Sequence, residues 1–155
     1  MRIRAHPLDA AIVATLRAGG PDANGQPPER TVSDGIGTPC RSCLHDVPAG
    51  AEMLIAAVRP FAGRHPYAET GPVFLCGAEC TPWQGDGMPP VLATSPDYLL
   101  KGYSSAERIV YGTGRIVPSG EIADYAAGLF ARPEIAFVDV RSARNNCWQA
   151  RLRPA

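Results

Sequence analysis

Four of the five cysteines fall into two close pairs, Cys40-x2-Cys43 and Cys76-x3-Cys80, with 32 residues between the pairs. A tetrahedral zinc ion takes four such thiolates at about 2.3 Å. Short spacing lets each pair chelate from one turn, so the fold has only to bring two turns together. Pro39 and Pro48 bracket the first pair, leave no room for a helix and predict a compact knuckle over 40–50. The second pair closes the apolar run Val73–Cys76. The pattern points to a structural zinc held by Cys40, Cys43, Cys76 and Cys80, with no open coordination position. Two alternatives stay open at this point. One is four ordinary cysteines, some buried as small apolar residues; the other is a redox pair or disulfide. A thioredoxin-like Cys40 would need a helix N-terminus, and Pro48 truncates any such helix. His45 is either a substitute ligand or a solvated turn residue.

Two further clusters carry polar chemistry. Arg141, Arg144, Asn145 and Asn146 crowd one tight connection, where guanidinium forks and amides suit a carboxylate or phosphate; Asn is also what a hairpin with positive φ demands. The segment Arg64-His65-Pro66-Tyr67-Ala68-Glu69-Thr70 offers a base, an acid, a phenol and a cation. Arg64, Tyr67, Glu69, Arg141, Arg144 and Asn145 are expected to border one pocket for a small anionic ligand. Cys147 is either a structural thiol or a nucleophile in need of a nearby histidine or cation. There is no phosphate-cradling glycine loop, no Gly-x-Ser-x-Gly and no His-Glu-x-x-His, which disfavours several familiar enzyme classes.

Composition bounds the partners. The 155 residues balance fifteen basic against fifteen acidic side chains, whereas a nucleic-acid or anionic-membrane partner normally leaves a basic excess. No apolar run approaches the ~18 residues of a spanning helix. An N-terminal apolar stretch, Ala10–Leu16, is opened by Asp9 and closed by Arg17 without a cleavage pattern, so the chain reads as a mature, soluble, cytoplasmic protein. Five cysteines, an odd number, fit a complete disulfide framework poorly.

The elements that must position these residues are short. Residues 2–5 alternate like a strand. Asp9 caps a helix carrying Ile12, Val13 and Leu16, and Gly19-Gly20 stops it. Residues 19–38 read as a surface loop with at most a short strand at Thr31-Val32. Met53–Val58 reads as a strand buried on both faces. Residues 81–97 hold four prolines and form an irregular excursion. A hairpin is expected from 98–103 and 108–117, then a helix capped by Ser119 with Ile122, Tyr125, Ala126, Leu129 and Phe130 at helical spacing. Ile135–Val140 and a final strand follow, the latter with Trp148, Ala150 and Leu152 inward and Gln149, Arg151 and Arg153 outward. This order predicts an α+β fold in a single domain, 1–155: a mostly antiparallel sheet covered by two helices, with long Pro/Gly-rich loops.

Several strings carry a resemblance. They are Pro39-Cys40-Arg41-Ser42-Cys43-Leu44, Pro48-Ala49-Gly50-Ala51-Glu52, Arg59-Pro60-Phe61, Pro66-Tyr67-Ala68-Glu69-Thr70-Gly71-Pro72-Val73-Phe74 and Arg141-Ser142-Ala143-Arg144-Asn145-Asn146-Cys147. From about residue 2 to residue 153 the chain resembles the small bacterial proteins grouped as domain of unknown function 1203. The resemblance implies the domain boundaries and transfers no catalytic residue. Three functions follow as expectations. The first is a ligand-binding module stapled by zinc. The second is an enzyme acting on a small anionic substrate through Cys147 or the His65/Glu69 loop. The third is a protein-interaction domain without metal. The balance favours a protein that is not an enzyme.

Overall fold

The computed structural model describes residues 1–155. Asp9 begins the first helix as its residue type predicts: its Oδ1 accepts from the amides of Ala11 at 2.8 Å and Ile12 at 3.3 Å. The helix α1 (Ala10–Arg17) buries Val13 and Leu16, and Gly19 ends it at a φ of 82° that other residues adopt at a cost. Together with residues to Trp83 it forms one of two compact units, Pro7–Trp83; the other unit joins Met1–His6 to Gln84–Ala155.

Before α1 runs β1 (Ile3–His6), and after it come β2 (Glu29–Val32), β3 (Glu52–Val58) and β4 (Gly71–Cys76). The last three make the antiparallel sheet of the Pro7–Trp83 unit, in the order β2-β3-β4. Leu54 and Leu75 face each other across β3 and β4 and are both fully buried, which pins the register. Ile55 and Ala57 on the other face of β3 are only half-buried, so the strand is wetter on one side than its apolar run predicts. Asp22 organises the loop before β2. Its Oδ1 accepts from the amides of Asn24 and Gln26, and its Oδ2 from Ala57 of β3 at 2.9 Å.

The second unit carries β1 with β5 (Asp97–Tyr103), β6 (Arg115–Pro118), β7 (Phe137–Ser142) and β8 (Trp148–Pro154) in one antiparallel sheet, order β1-β8-β7-β5-β6. Helix α2 (Ile122–Phe130) packs against four of these strands through Ile122, Ala126, Leu129 and Phe130, four of the five positions expected from spacing. The fifth, Tyr125, is half-buried and donates its hydroxyl to Thr113 O at 2.8 Å.

The structure therefore is α+β with two helices and antiparallel pairing between all its strands, which fall into two sheets rather than one. Three local expectations change. Strand β6 starts only at Arg115, because Gly112 at φ 84° and the Thr113 hydroxyl, which accepts from Gly102 N at 2.9 Å, divert the chain after the Tyr103–Ile109 bridge. Ser119 opens a short 3-10 turn and makes no side-chain cap; its amide donates to Pro96 O instead. On β8, Gln149 is buried and Arg151 pairs with the fully buried Asp139, so the face predicted to be wet is not. No helix is long and apolar enough to cross a membrane.

Candidate metal centre

The proline-bracketed knuckle forms as its residues require. Pro39 and Asp46 bridge antiparallel, Cys40 N donates to His45 O at 2.9 Å, and Leu44 N returns to Cys40 O at 2.9 Å. Closing so tight a turn puts Leu44 at φ 55°, in the left-handed region. The knuckle is then stitched to the sheet: Arg41 N donates to Phe74 O at 3.0 Å, and Cys40 bridges Phe74 in parallel. Because Cys76 lies two residues beyond Phe74 on β4, the bridge delivers the first cysteine pair beside the second. Past Cys76 the chain turns at Gly77, whose amide donates to Glu52 O at 2.8 Å. A Cβ at Gly77 would stand 2.6 Å from the Glu52 carboxylate, so a larger residue there has to displace that side chain.

The four sulfur atoms of Cys40, Cys43, Cys76 and Cys80 all lie within 4.8 Å of one another. Cys40 and Cys80 stand 3.9 Å apart. All five cysteines of the chain are free thiols, so no disulfide competes for this group. Cys40 is completely buried and the other three are half-buried. The Cys40 sulfur accepts from the amides of Ser42 at 3.4 Å and Cys76 at 3.3 Å. The thiols of Cys43 and Cys76 also point at it, so Cys40 is held far below the ordinary thiol range. Its neighbours take the opposite direction: Cys43 is pushed up to about 12, chiefly by the Cys40 sulfur, and Cys76 is raised for the same reason. Cys40, Cys43 and Cys76 thus compete for one negative charge. A divalent ion resolves the crowding by accepting all four as thiolates.

Arg17 completes the surroundings. From the last turn of α1 its Nη2 donates to Cys80 Sγ at 2.9 Å and its Nε to Cys76 O at 3.1 Å. Nothing in the cysteine spacing pointed to this residue. His45 stands outside the sulfur cluster. Its Nδ1 lies 2.9 Å from the Cys43 carbonyl, and because a carbonyl cannot donate, that nitrogen carries a proton and binds no metal. The ring sits 5.9 Å from that of Trp83, whose backbone amide donates to Ser42 O.

The cluster's donors lie in the stretch that a family model matches: residues 37–153 fit the model described as a protein of unknown function, DUF1203. The chain belongs to that family. The match starts at residue 37 rather than near residue 2, so α1 and Arg17 precede it. No curated protein and no solved structure matches the chain.

The remaining candidates in this DUF1203 chain divide between its units. Arg64, Tyr67 and Glu69 occupy the loop between β3 and β4 of the Pro7–Trp83 unit, where Tyr67 N donates to His65 Nδ1 and Arg64 is exposed. Arg141, Arg144 and Asn145 belong to the other unit, at the β7–β8 turn. There Arg141 is buried and donates to Asn146 O at 3.1 Å, and Arg144 pairs with Asp97 at 2.8 Å. Asn145 is exposed and its amide donates to Ser142 Oγ. Asn146 takes the positive φ of 58° that the turn demands. Cys147 donates its thiol to Asn145 O at 3.7 Å.

Proposed function

We propose that this protein is a binding module whose Pro7–Trp83 unit is stapled by one structural zinc ion, held by Cys40, Cys43, Cys76 and Cys80. The observation that carries this reading is the convergence of four sulfur donors within 4.8 Å, from two segments far apart in sequence. Coordination at about 2.3 Å places sulfurs about 3.8 Å apart, so closure around an ion asks for contractions of about an ångström at most. An all-sulfur tetrahedron suits zinc or an iron–sulfur centre, and four protein thiolates leave no position for substrate. The role of the ion is therefore mechanical. A unit of this length sits near the ~70–80 residues below which one core rarely suffices, and a metal is a common remedy.

The ligand of the module is read as a small anion, taken by either polar loop on its own, the Arg64–Glu69 loop of one unit or the Arg141–Asn145 turn of the other. This part of the reading is supported by the exposure of Arg64 and Asn145. The metal reading is tested by elemental analysis of protein purified without oxygen, together with thiol counting. One zinc per chain, a colourless solution and protection of four thiols that chelation reverses are expected. A visible sulfur-to-iron absorption would replace zinc with iron, and no bound metal with all thiols reactive would refute the centre.

A further inference from the structure

We infer that Arg17 is a positioning residue of the metal centre: its guanidinium holds Cys80 in place as a thiolate donor and ties the last turn of α1 to metal occupancy. This rests on the four-thiolate reading above. Cys76 ends β4, Cys40 sits in the bridge to Phe74, and Cys43 lies in the hydrogen-bonded turn that Cys40 opens. Cys80 lies in a stretch with neither helix nor strand. What reaches it is Arg17, through two nitrogens of one planar fork, Nη2 to Cys80 Sγ at 2.9 Å and Nε to Cys76 O at 3.1 Å. The same guanidinium therefore spans both cysteines of the second pair and sets the distance between them.

Charge gives the contact its direction. Four thiolates around a divalent ion carry a net charge of −2, and a half-buried site of that charge needs a cation close by. Arg17 supplies one in direct contact with a ligating sulfur, the arrangement by which outer-shell partners orient and tune metal ligands. Arg17 is itself braced. Its carbonyl accepts from Arg30 Nη2 at 3.2 Å, Arg30 pairs with Glu52 at 2.6 Å, and Glu52 O accepts from Gly77 N beside Cys76. The chain of contacts closes on the centre it leaves from. A cavity of about 620 Å³ bordered by Arg17, Ser42, Glu79 and Cys80 opens one side of the contact, so a chelator can approach the ion at this corner.

An arginine in a last helical turn also offsets the helix dipole, so the test must separate that role from outer-shell control. The full chain and its R17M and R17K variants are loaded anaerobically with zinc or with cobalt(II). Affinity is read by competition with a chromogenic chelator, and the sulfurs by the thiolate-to-cobalt charge-transfer band. R17M is expected to lose affinity on the order of 10- to 100-fold, release zinc faster and shift the band to lower energy, since Cys80 keeps more of its electron density. R17K, which keeps the charge but cannot span two acceptors, should fall between. Wild-type protein that binds no cobalt, or shows fewer than four thiolates, would sink the four-thiolate reading itself. A normal tetrathiolate wild type with R17M unchanged in affinity and band position would overturn the role of Arg17 alone. Should R17M not fold, R17K carries the decision, and an R17K centre indistinguishable from wild type overturns the proposal.

Discussion

Cys40 and Cys80 hold their sulfur atoms 3.9 Å apart although forty residues separate them. Metal removal should therefore be felt across the Pro7–Trp83 unit and not only at the knuckle. At a free zinc concentration a hundredfold above Kd the ion is expected to add about 2.7 kcal/mol to stability, read as a shift in the urea midpoint with and without chelator. Cys40→Ser should abolish the shift, because it replaces the fully buried donor on which two backbone amides converge. Equal midpoints with and without zinc in wild-type protein would count against a structural ion.

In the other unit, Asp139 and Arg151 are direct cross-strand partners on β7 and β8 and form a two-pronged pair at 2.7 and 2.9 Å. Asp139 is fully buried, and the Arg151 guanidinium lies 3.7 Å from the centre of the Phe137 ring. Asp139→Ala is expected to cost about 3–5 kcal/mol, since it strands a mostly buried cation. The double variant Asp139→Leu with Arg151→Met should recover much of that loss, because it removes both desolvation costs. Denaturant melts of Asp139→Ala and of the double variant decide it. A single-variant loss below about 1 kcal/mol would mean the pair is no better than a surface ion pair.

Both successes and failures of the sequence reading trace to how local each interaction is. Asp9 and the knuckle were legible because a cap and a proline-bracketed turn are decided within a few residues. The cysteine pairs were legible as donors, since chelation from one turn leaves its mark in spacing. Arg17 was not, because its contact with Cys80 spans 63 residues and an arginine closing a helix has many possible partners. Gln149 and Arg151 were misplaced because strict alternation assumes a wet outer face, and a buried carboxylate at Asp139 removes that assumption. Nor does alternation reveal which strands share a sheet, so the segregation of β2, β3 and β4 from the other five emerged only in three dimensions.

Asp22 is expected to act as the clasp of the Pro- and Gly-rich loop before β2. Burial disfavours its charge, but the amides of Ala57, Gln26 and Asn24 outweigh that and hold its carboxyl below the ordinary range. Asp22→Ala leaves three amides without their acceptor and should cost about 1–3 kcal/mol. Hydrogen exchange at the Ala57 amide should speed up in the variant. An unchanged rate there would show that the loop is held by other contacts.

The pH dependence that folding imposes can be traced to His6. Burial, and then the charges of Arg153, Arg4 and Arg151, lower its pKa below the ordinary 6.5. Arg151 is its cross-strand partner on β8, and Arg4 lies two residues earlier on β1. The folded chain therefore resists a proton that the unfolded chain accepts. Above pH 6.5 both states leave the ring neutral and the contribution to stability is full. As pH falls through 6.5 the unfolded chain takes up the proton first, so stability declines until the folded-state value is passed, and then levels off. Urea midpoints of the metal-free protein at pH 7.5 and 5.5 should fall on acidification, and His6→Gln should remove part of that fall. The Cys40 thiolate, held below the ordinary thiol range in both proteins, adds the same fall to each, so the difference between wild type and His6→Gln isolates the imidazole. If His6→Gln retains the whole pH dependence, the arginines around β1 and β8 do not set it.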